Sequence, residues 1–261
     1  MVAMKETDAI TVSAGDASPG IRLLCLNRPE SRNAMSPAMV EQMIAWLEMA
    51  AHDPSISAIV IHGAGKGFCA GSDLAGLAAM DAAARSAFEA ASGRLARLLT
   101  AFPRPVIAAV HGFAIGGGLT LAAACDIVVT TADARWSLPE VPIGLFPAWG
   151  LEAVSQRMGR ARARRLSWGI DRLDGHGAVA IGLADELADQ LLPAALAMAQ
   201  RLVELPLAQS AAVKQYFVVP RDAEAGDRQA NALFLAACGS EAAKASFVKF
   251  GSDRSDGGNS N

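Results

Sequence analysis

The sequence lacks paired cysteines, and this absence excludes a fold held together by disulfides. Four cysteines are scattered over 261 residues and form no CxxC pair. Cys69 and Cys125 lie in apolar runs, where thiols usually pack as small hydrophobic groups. The sequence therefore predicts a reduced, cytoplasmic protein.

Strong charge of one sign and long hydrophobic runs are also missing. The formal net charge is -3, so the charge balance gives no sequence-independent attraction to nucleic acid. The most apolar stretch, residues 106–124, is interrupted by His111 and by glycines. The first ten residues do not have the pattern of a secretory leader. We therefore expect neither a nucleic-acid partner nor a membrane association.

What the sequence does contain is apolar material for a large core, with strand and helix patterns in alternation. Hydrophobic residues make up 52% of the chain, and this pattern predicts an α/β fold with a helical appendage. β-rich apolar runs predict strands at residues 21–27, 56–62, 106–111 and 127–130. Helical spacing predicts helices at residues 37–51, 82–100, 193–205, 222–237 and 241–250. No strong strand is predicted after residue 149.

Two glycine-rich turns are the most informative segments: FCAGSDL at residues 68–74 and HGFAIGGGL at residues 111–119. Each is predicted to lead from a buried strand into a helix. The first amides of a helix have no intrahelical acceptors and carry partial positive charge. Two such helix starts that meet form a binding site for a negatively charged oxygen.

Nucleotide binding is a second interpretation of these turns. A Walker loop ending at Gly65-Lys66 requires glycine at position 60 and a hydroxyl residue at position 67, but the sequence has Val60 and Gly67. A dinucleotide fingerprint in the second turn has Leu121 where its third glycine is required. A third interpretation stays open: both segments are simply tight turns that need glycine for its backbone angles.

Glu140 is a candidate general base. It lies between Pro139 and Val141 in an irregular segment rich in apolar residues. Desolvation in such surroundings raises the pKa of a carboxyl from about 4.3 towards the range useful for proton transfer. A surface or salt-bridged glutamate is the alternative.

Four segments occur in the order and at the spacing of a known family: FCAGSDL, PVIAAVHGFAIGGGLTLAAACDIVV, LPEVPIGLFP and AIGLADE. Together they resemble the signatures of the crotonase superfamily, the enoyl-CoA hydratase and isomerase family, over residues 21–205. The resemblance implies a crotonase-like spiral of ββα units in residues 1–200 and a helical trimerisation region in residues 201–250. We expect residues 251–261 to be a disordered tail.

The resemblance also implies an acyl-CoA thioester as substrate, and it assigns an oxyanion hole by position. The backbone N–H groups of Ser72 and Gly117 would hold the thioester oxygen, because backbone donors aimed at developing charge stabilise an enolate. Ala70, Gly71 and Gly116 are the neighbouring turn residues expected to contact the substrate.

Side chains decide the reaction, and here the sequence departs from the typical hydratases of the family. Those enzymes use two glutamates, but only the later one, Glu140, is present, and Thr120 stands at the earlier position. A threonine hydroxyl orients water or substrate but is not a carboxylate base. The family's isomerases also keep a single glutamate. The sequence therefore favours double-bond isomerisation, in which Glu140 removes a proton and returns it two carbons away.

Two alternatives remain. The first is a hydratase or hydratase-lyase that uses Glu140 and a water placed by Thr120. The second belongs to another class: a non-catalytic relative that binds acyl-CoA or serves as an assembly subunit.

Further residues are assigned to the ends of the substrate. Three cations in loops after strands are expected at the CoA phosphates, with solvated surface charge as the alternative: Arg28, Arg32 and Lys66. Three residues are expected at the acyl pocket, with core packing as the alternative: Trp136, Ala148 and Trp149.

The remaining expectations concern ligands and assembly. The four histidines show no metal-ligand spacing, so we predict no metal, and no cofactor beyond the CoA moiety of the substrate. Asp126 is expected to hold backbone amides in place rather than to take part in the chemistry. The resemblance implies a homotrimer or a dimer of trimers.

Overall fold

A computed structural model describes residues 9–15, 18–217 and 223–252, and within them eight strands form two sheets. The strands are β1 (Ile10–Gly15), β2 (Ser18–Leu26), β3 (Ala58–Gly63), β4 (Val106–Val110), β5 (Phe113–Ile115), β6 (Ile127–Thr130), β7 (Arg135–Ser137) and β8 (Glu186–Leu187). The main sheet has the order β1-β2-β3-β4-β6-β8, while β5 and β7 form the second sheet. Only the β1–β2 pair is antiparallel.

Eleven α-helices surround the sheets in the described residues. They are α1 (Pro37–Ala51), α2 (Leu74–Ala79), α3 (Ala82–Ala101), α4 (Gly117–Ala123), α5 (Leu151–Met158), α6 (Arg160–Ser167), α7 (Gly175–Ala180), α8 (Leu191–Val203), α9 (Leu207–Phe217), α10 (Ala223–Cys238) and α11 (Glu241–Ser252). The predicted α/β class is confirmed.

The central strands are buried on both faces, and this explains their unbroken apolar runs. In β3, Ile59 and Ile61 belong to a large core that also includes side chains of α1 and α3. Ala58 and Val60 point to the opposite face and pack in a second core with Ala195 of α8. The main sheet therefore forms a middle layer between two cores, and the loop after β3 leads into the first glycine turn. The second glycine turn and Glu140 follow β5 and β7 of the second sheet.

Local signals placed several elements correctly. α1 has the predicted bounds, because Ser36 caps it by accepting a hydrogen bond from the Met39 amide at 3.3 Å and a proline occupies its first position. α3 begins at the predicted residue and ends at Ala101, one residue beyond the predicted end, with Phe102 as its C-cap just before Pro103. The four predicted strands are present with shifts of up to three residues at their ends.

Other elements were missed or placed differently. β1, β5, β7 and β8 were not predicted; β8, with two residues, is the one strand after residue 149 in the described chain, where no strong strand was expected. Three of these four strands have only two or three residues, too few for an alternating pattern to stand out. The predicted boundary after residue 200 falls inside α8, and the division into regions stays a prediction. Of the predicted tail, Gly251 and Ser252 end α11, and the rest lies outside the described residues.

Two further observations bear on earlier expectations. Asp126 has the predicted structural role: its carboxylate accepts hydrogen bonds from the Val106 amide at 2.7 Å and from Lys214 Nζ at 2.7 Å. Within the described chain, no helix is by itself long and apolar enough to cross a membrane. α8 and α9 reach the required length and composition only as a pair, and that pair is bent by 107°.

Candidate active site

The second glycine turn joins β5 to α4 and leaves one backbone donor unused. Gly116 has φ +54°, a conformation that L side chains rarely adopt, and its amide donates to the Ser137 carbonyl at 2.9 Å. Gly117 is the first residue of α4, so its N–H has no intrahelical acceptor. No other acceptor for it occurs among the described residues. Gly117 therefore lies at a helix start, as expected, and its role as a donor to the substrate stays a prediction.

The first glycine turn frees a donor in a different way. Met35 pairs with this turn like a short strand: its amide donates to the Gly71 carbonyl at 2.8 Å, and its carbonyl accepts from the Asp73 amide at 2.9 Å. This pairing points the Ser72 N–H away from Met35. The Ser72 amide was expected at a helix start, but Ser72 precedes the cap, because α2 begins at Leu74 with Asp73 as its N-cap.

The two turns lie against each other, as the anion-site hypothesis requires. Gly71 has φ +94°, and a Cβ atom added to it would lie 3.3 Å from the Gly117 nitrogen. A Cβ added to Gly117 would in turn lie 3.5 Å from Ser72 Oγ. The Ser72 and Gly117 amides therefore belong to one small region of backbone.

The Glu140 carboxyl lies beside this region. A Cβ added to Gly116 would lie 2.6 Å from Glu140 Oε1, so the absence of a side chain makes room for the carboxyl. Glu140 Oε2 is buried without a hydrogen-bond partner among the described residues. Burial raises the pKa of Glu140 to about 7, as the apolar neighbours in the sequence predicted. At neutral pH the carboxyl can therefore both accept and donate a proton.

Thr120 lies in the same cavity but has an internal bond. Its Oγ1 donates to the Gly117 carbonyl at 3.1 Å, and the side chain is buried. Gly150, with φ +74°, packs on it so closely that an added Cβ would lie 2.5 Å from Thr120 Cβ. Thr120 therefore has acceptor capacity toward the cavity, but its hydrogen is used within α4.

A single cavity collects most of the predicted residues. Those that line it are Ala70, Gly71, Ser72, Gly116, Gly117, Thr120, Glu140, Ala148 and Trp149. Trp149 Cζ2 would lie 2.9 Å from a Cβ on Gly117, so the Trp149 ring forms a wall of the cavity directly beside the second glycine turn. Trp149 also belongs to the main hydrophobic core, so the cavity wall and the core packing are both present, and contact with an acyl chain stays a prediction.

Trp136 corrects the pocket assignment. Its side chain is 0% exposed, it does not line the cavity, and its Nε1 donates to Thr130 Oγ1 at 3.3 Å. The β5–β7 pairing turns this ring into the core. Core packing, the alternative interpretation, is correct for Trp136.

The three predicted CoA cations lie outside the cavity. Arg28 donates to the Ala34 carbonyl and to Asp73 Oδ2 at 3.4 Å, so its guanidinium tethers the segment that carries Ser72 rather than pointing freely into solvent. Arg32 and Lys66 are exposed. Their contact with a CoA moiety stays a prediction.

The sequence interpretation missed one functional candidate, Glu89 of α3. Glu89 lines the cavity and is 4% exposed. Burial, and secondarily the negative charge of Glu140, raise the pKa of Glu89 to about 8. A signal was available: Glu89 lies on the same helical stripe as Phe88, Ser92 and Ala96, where a charge is unusual.

Comparisons with known proteins find one family of similar sequences. A profile of the family described as enoyl-CoA hydratase/isomerase matches residues 16–251. The 2,3-dehydroadipyl-CoA hydratase of Escherichia coli strain K12 is 38% identical over 196 residues, which span 74% of this chain and 76% of the relative. The crotonyl-CoA hydratase of Syntrophomonas wolfei is 32% identical over 187 residues, 70% of this chain and 72% of the relative.

A solved structure extends the likeness to the fold. The crystal structure of an enoyl-CoA hydratase/isomerase from Mycobacterium paratuberculosis superposes with a TM-score of 0.85 at 28% identity, over 93% of this chain and 98% of that chain.

Proposed function

Since the chain belongs to the enoyl-CoA hydratase/isomerase family and has the crotonase fold, we propose that it catalyses the reversible hydration of a 2-enoyl-CoA thioester. The Ser72 and Gly117 N–H groups donate hydrogen bonds to the thioester oxygen, and they bind it more strongly as it becomes an enolate oxygen. Glu140 is the acid–base residue.

One observation carries this proposal: the Glu140 carboxyl lies against Gly116, next in sequence to the free N–H of Gly117. A carboxyl in that position is close to the carbons next to a carbonyl held by the two amides. Its pKa of about 7 suits proton transfer at neutral pH. The names of the relatives, which are hydratases, favour addition of water over migration of the double bond.

Double-bond isomerisation, which the sequence favours, is the second candidate. The observation in its favour is the Thr120 hydroxyl, whose hydrogen is engaged by the Gly117 carbonyl. If Glu140 is the only acid–base residue, it can move one proton between two carbons by itself, whereas hydration needs both a base for the water and an acid for the second carbon.

The variant Glu140→Gln tests the assignment of the base. We expect kcat for crotonyl-CoA hydration to fall by about 10² to 10⁴-fold, since an amide has the shape of the carboxyl but accepts no proton. The loss of the conjugated thioester absorbance measures hydration of a 2-enoyl-CoA, and its appearance measures isomerisation of a 3-enoyl-CoA. Glu152→Gln, on the exposed surface of α5, is the control and should behave as wild type.

The outcomes separate the candidates. Wild-type hydration that Glu140→Gln abolishes supports the proposal, whereas isomerisation without hydration establishes the second candidate in its place. Full activity in Glu140→Gln removes Glu140 from the mechanism. Acyl-CoA binding without turnover across a panel of chain lengths points to the non-catalytic relative.

The wider assignments are also proposals. Arg32 and Lys66 contact the CoA phosphates, and no cofactor beyond the CoA moiety is required. The protein assembles as a homotrimer or a dimer of trimers in the cytoplasm. The four free thiols support a reducing compartment.

A further inference from the structure

α3 buries a carboxyl that the mechanism above does not use. Glu89 is 4% exposed and lies between the buried residues Phe88 and Ser92 on the core face of the helix. Burying an ionisable group that lacks a partner is unfavourable for folding. A carboxyl retained in such a position is a candidate for function rather than for stability.

No cation compensates for this burial. The described residues include no ion pair or hydrogen bond of the Glu89 carboxyl. Arg85, one turn earlier in α3, directs its guanidinium elsewhere: Nε donates to the Leu77 carbonyl at 2.8 Å, and the group lies 4.4 Å from the centroid of the Phe247 ring. The other titratable groups that interact with Glu89 are the Cys238 thiol, whose pKa burial raises, and Glu140.

Glu89 and Glu140 belong to different elements but line the same cavity. Glu140 comes from the loop after β7, beside the oxyanion turn, whereas Glu89 comes from α3. Their charges interact, since the negative charge of Glu140 contributes to raising the pKa of Glu89 to about 8. Near neutral pH, Glu89 therefore keeps its proton while Glu140, with a pKa of about 7, is partly ionised.

We propose that Glu89 is a second catalytic residue of this site, a general acid that works with Glu140 as general base. The inference rests on the proposed hydration. Thr120 stands where typical hydratases of the family have their first glutamate, so α4 supplies no carboxyl. Glu89 supplies one to the same cavity from α3.

The two carboxyls divide the proton transfers of hydration between them. Ionised Glu140 accepts a proton from water as the water oxygen forms a bond to C3, and the C2–C3 π electrons move toward the thioester oxygen held by Ser72 and Gly117. The enolate re-forms its carbonyl as C2 takes the proton of the Glu89 carboxyl. The product has gained one water, Glu140 is protonated and Glu89 is ionised. Transfer of one proton from Glu140 to Glu89 restores the starting state.

The pH profile of wild-type kcat/KM provides the first test. Activity should fall below about pH 7, where Glu140 is protonated, and above about pH 8, where Glu89 loses its proton, with the two limbs belonging to the coupled pair. A profile that rises to a plateau and stays flat to pH 10 overturns the inference without use of any variant.

The variant Glu89→Gln provides the second test. We expect kcat for crotonyl-CoA hydration to fall by about 10²-fold or more, KM to change little, and the alkaline limb to disappear. Glu48→Gln, an exposed glutamate of α1, is the control. A Glu89→Gln variant with wild-type kcat and an unchanged alkaline limb overturns the inference. The proposed function still stands in that case if Glu140→Gln is inactive. Wild-type protein that does not hydrate overturns both.

Thermal unfolding separates catalysis from a structural role. Folding raises the pKa of Glu89 above its ordinary value, so its effect on stability is favourable at low pH and is lost as pH rises through about 8. Glu89→Gln should therefore melt above wild type at pH 9. A variant that melts lower at every pH, with kcat reduced only in proportion to its folded fraction, assigns Glu89 to structure and overturns the inference.

Discussion

At the scale of single residues, the site depends on side chains that are absent as much as on those present. Gly116 combines φ +54° with a position where a Cβ would lie 2.6 Å from Glu140 Oε1. The first property is a matter of backbone strain, whereas the second holds the base in place. The two effects can be separated, because Gly159 also has positive φ but an added Cβ there would meet no atom within 4 Å.

Gly116→Ala should therefore impair catalysis beyond its effect on stability. The added methyl displaces the Glu140 carboxyl, and a misplacement of about 1 Å costs about 10²-fold in rate. Gly159→Ala is the matched control: Gly159 has φ +81°, and its Cβ would meet nothing within 4 Å. Both variants should lose about 1 to 3 kcal/mol of stability, because ψ is -125° at Gly116 and 151° at Gly159, outside the left-handed helical region. Equal kcat values for the two would show that Glu140 is not held by this contact.

Residues whose environment is local were predictable, and those whose environment is formed by distant elements were not. Gly117 and Glu140 were identified because their own neighbours in sequence specify a helix start and an apolar segment. Trp136 was assigned to the pocket, but pairing of β7 with β5 buries it. Glu89 was overlooked because its burial depends on what packs against α3.

At the scale of elements, α2 directly follows the first glycine turn, which carries Ser72. Asp73 caps this six-residue helix by accepting from the Gly76 amide at 3.0 Å, and it also pairs with Arg28. Its amide donates to Met35, in the pairing that orients Ser72. The Asp73 side chain therefore caps the helix and ties it to Arg28, while the backbone of the same residue makes the pairing with Met35.

Asp73→Ala should lower both stability and kcat. Loss of the cap costs about 1 kcal/mol, and loosening of the turn moves the Ser72 donor away from the thioester oxygen. Asp174→Ala is the control, since Asp174 caps α7 through the Gly177 amide at 2.7 Å but does not line the cavity. Chemical denaturation and steady-state kinetics measure the two effects. A kcat loss in Asp73→Ala no greater than that in Asp174→Ala would contradict the link between cap and donor.

Elements followed from sequence where their signals were long. α1 and α3 span several turns and have clear caps, and four strands of the main sheet contain apolar runs: β2, β3, β4 and β6. β5 and β7 have three residues each, and only their mutual pairing makes them strands. The resemblance assigned Ser72 by position, but the pairing of Met35 with the turn, which directs the Ser72 N–H, has no signature in the sequence.

At the scale of the whole molecule, α8 and α9 attach to the rest of the fold through a few specific contacts. α8 covers the second face of the sheet with Ala195 and Ala199. α9 adds a cation, Lys214, whose side chain is 9% exposed. Its Nζ donates to the Leu99 and Arg104 carbonyls and to the Asp126 carboxylate. Asp126 also accepts from the first amide of β4. The helical region could be predicted from composition, but this attachment could not, since it joins residues 88 positions apart.

Lys214→Met should therefore weaken the attachment of α9. Methionine fills much of the same space but leaves Asp126 and two carbonyls without their donor, a loss of about 1 to 3 kcal/mol, and the melting temperature should fall by several degrees. Lys244→Met is the control, because Lys244 pairs with Glu241 on the surface and such pairs contribute little. Limited proteolysis followed by mass spectrometry should show earlier cleavage within residues 207–217 in Lys214→Met only. Equal melting temperatures and equal cleavage in the two variants would show that apolar packing, rather than this buried cation, holds α9 on the sheet.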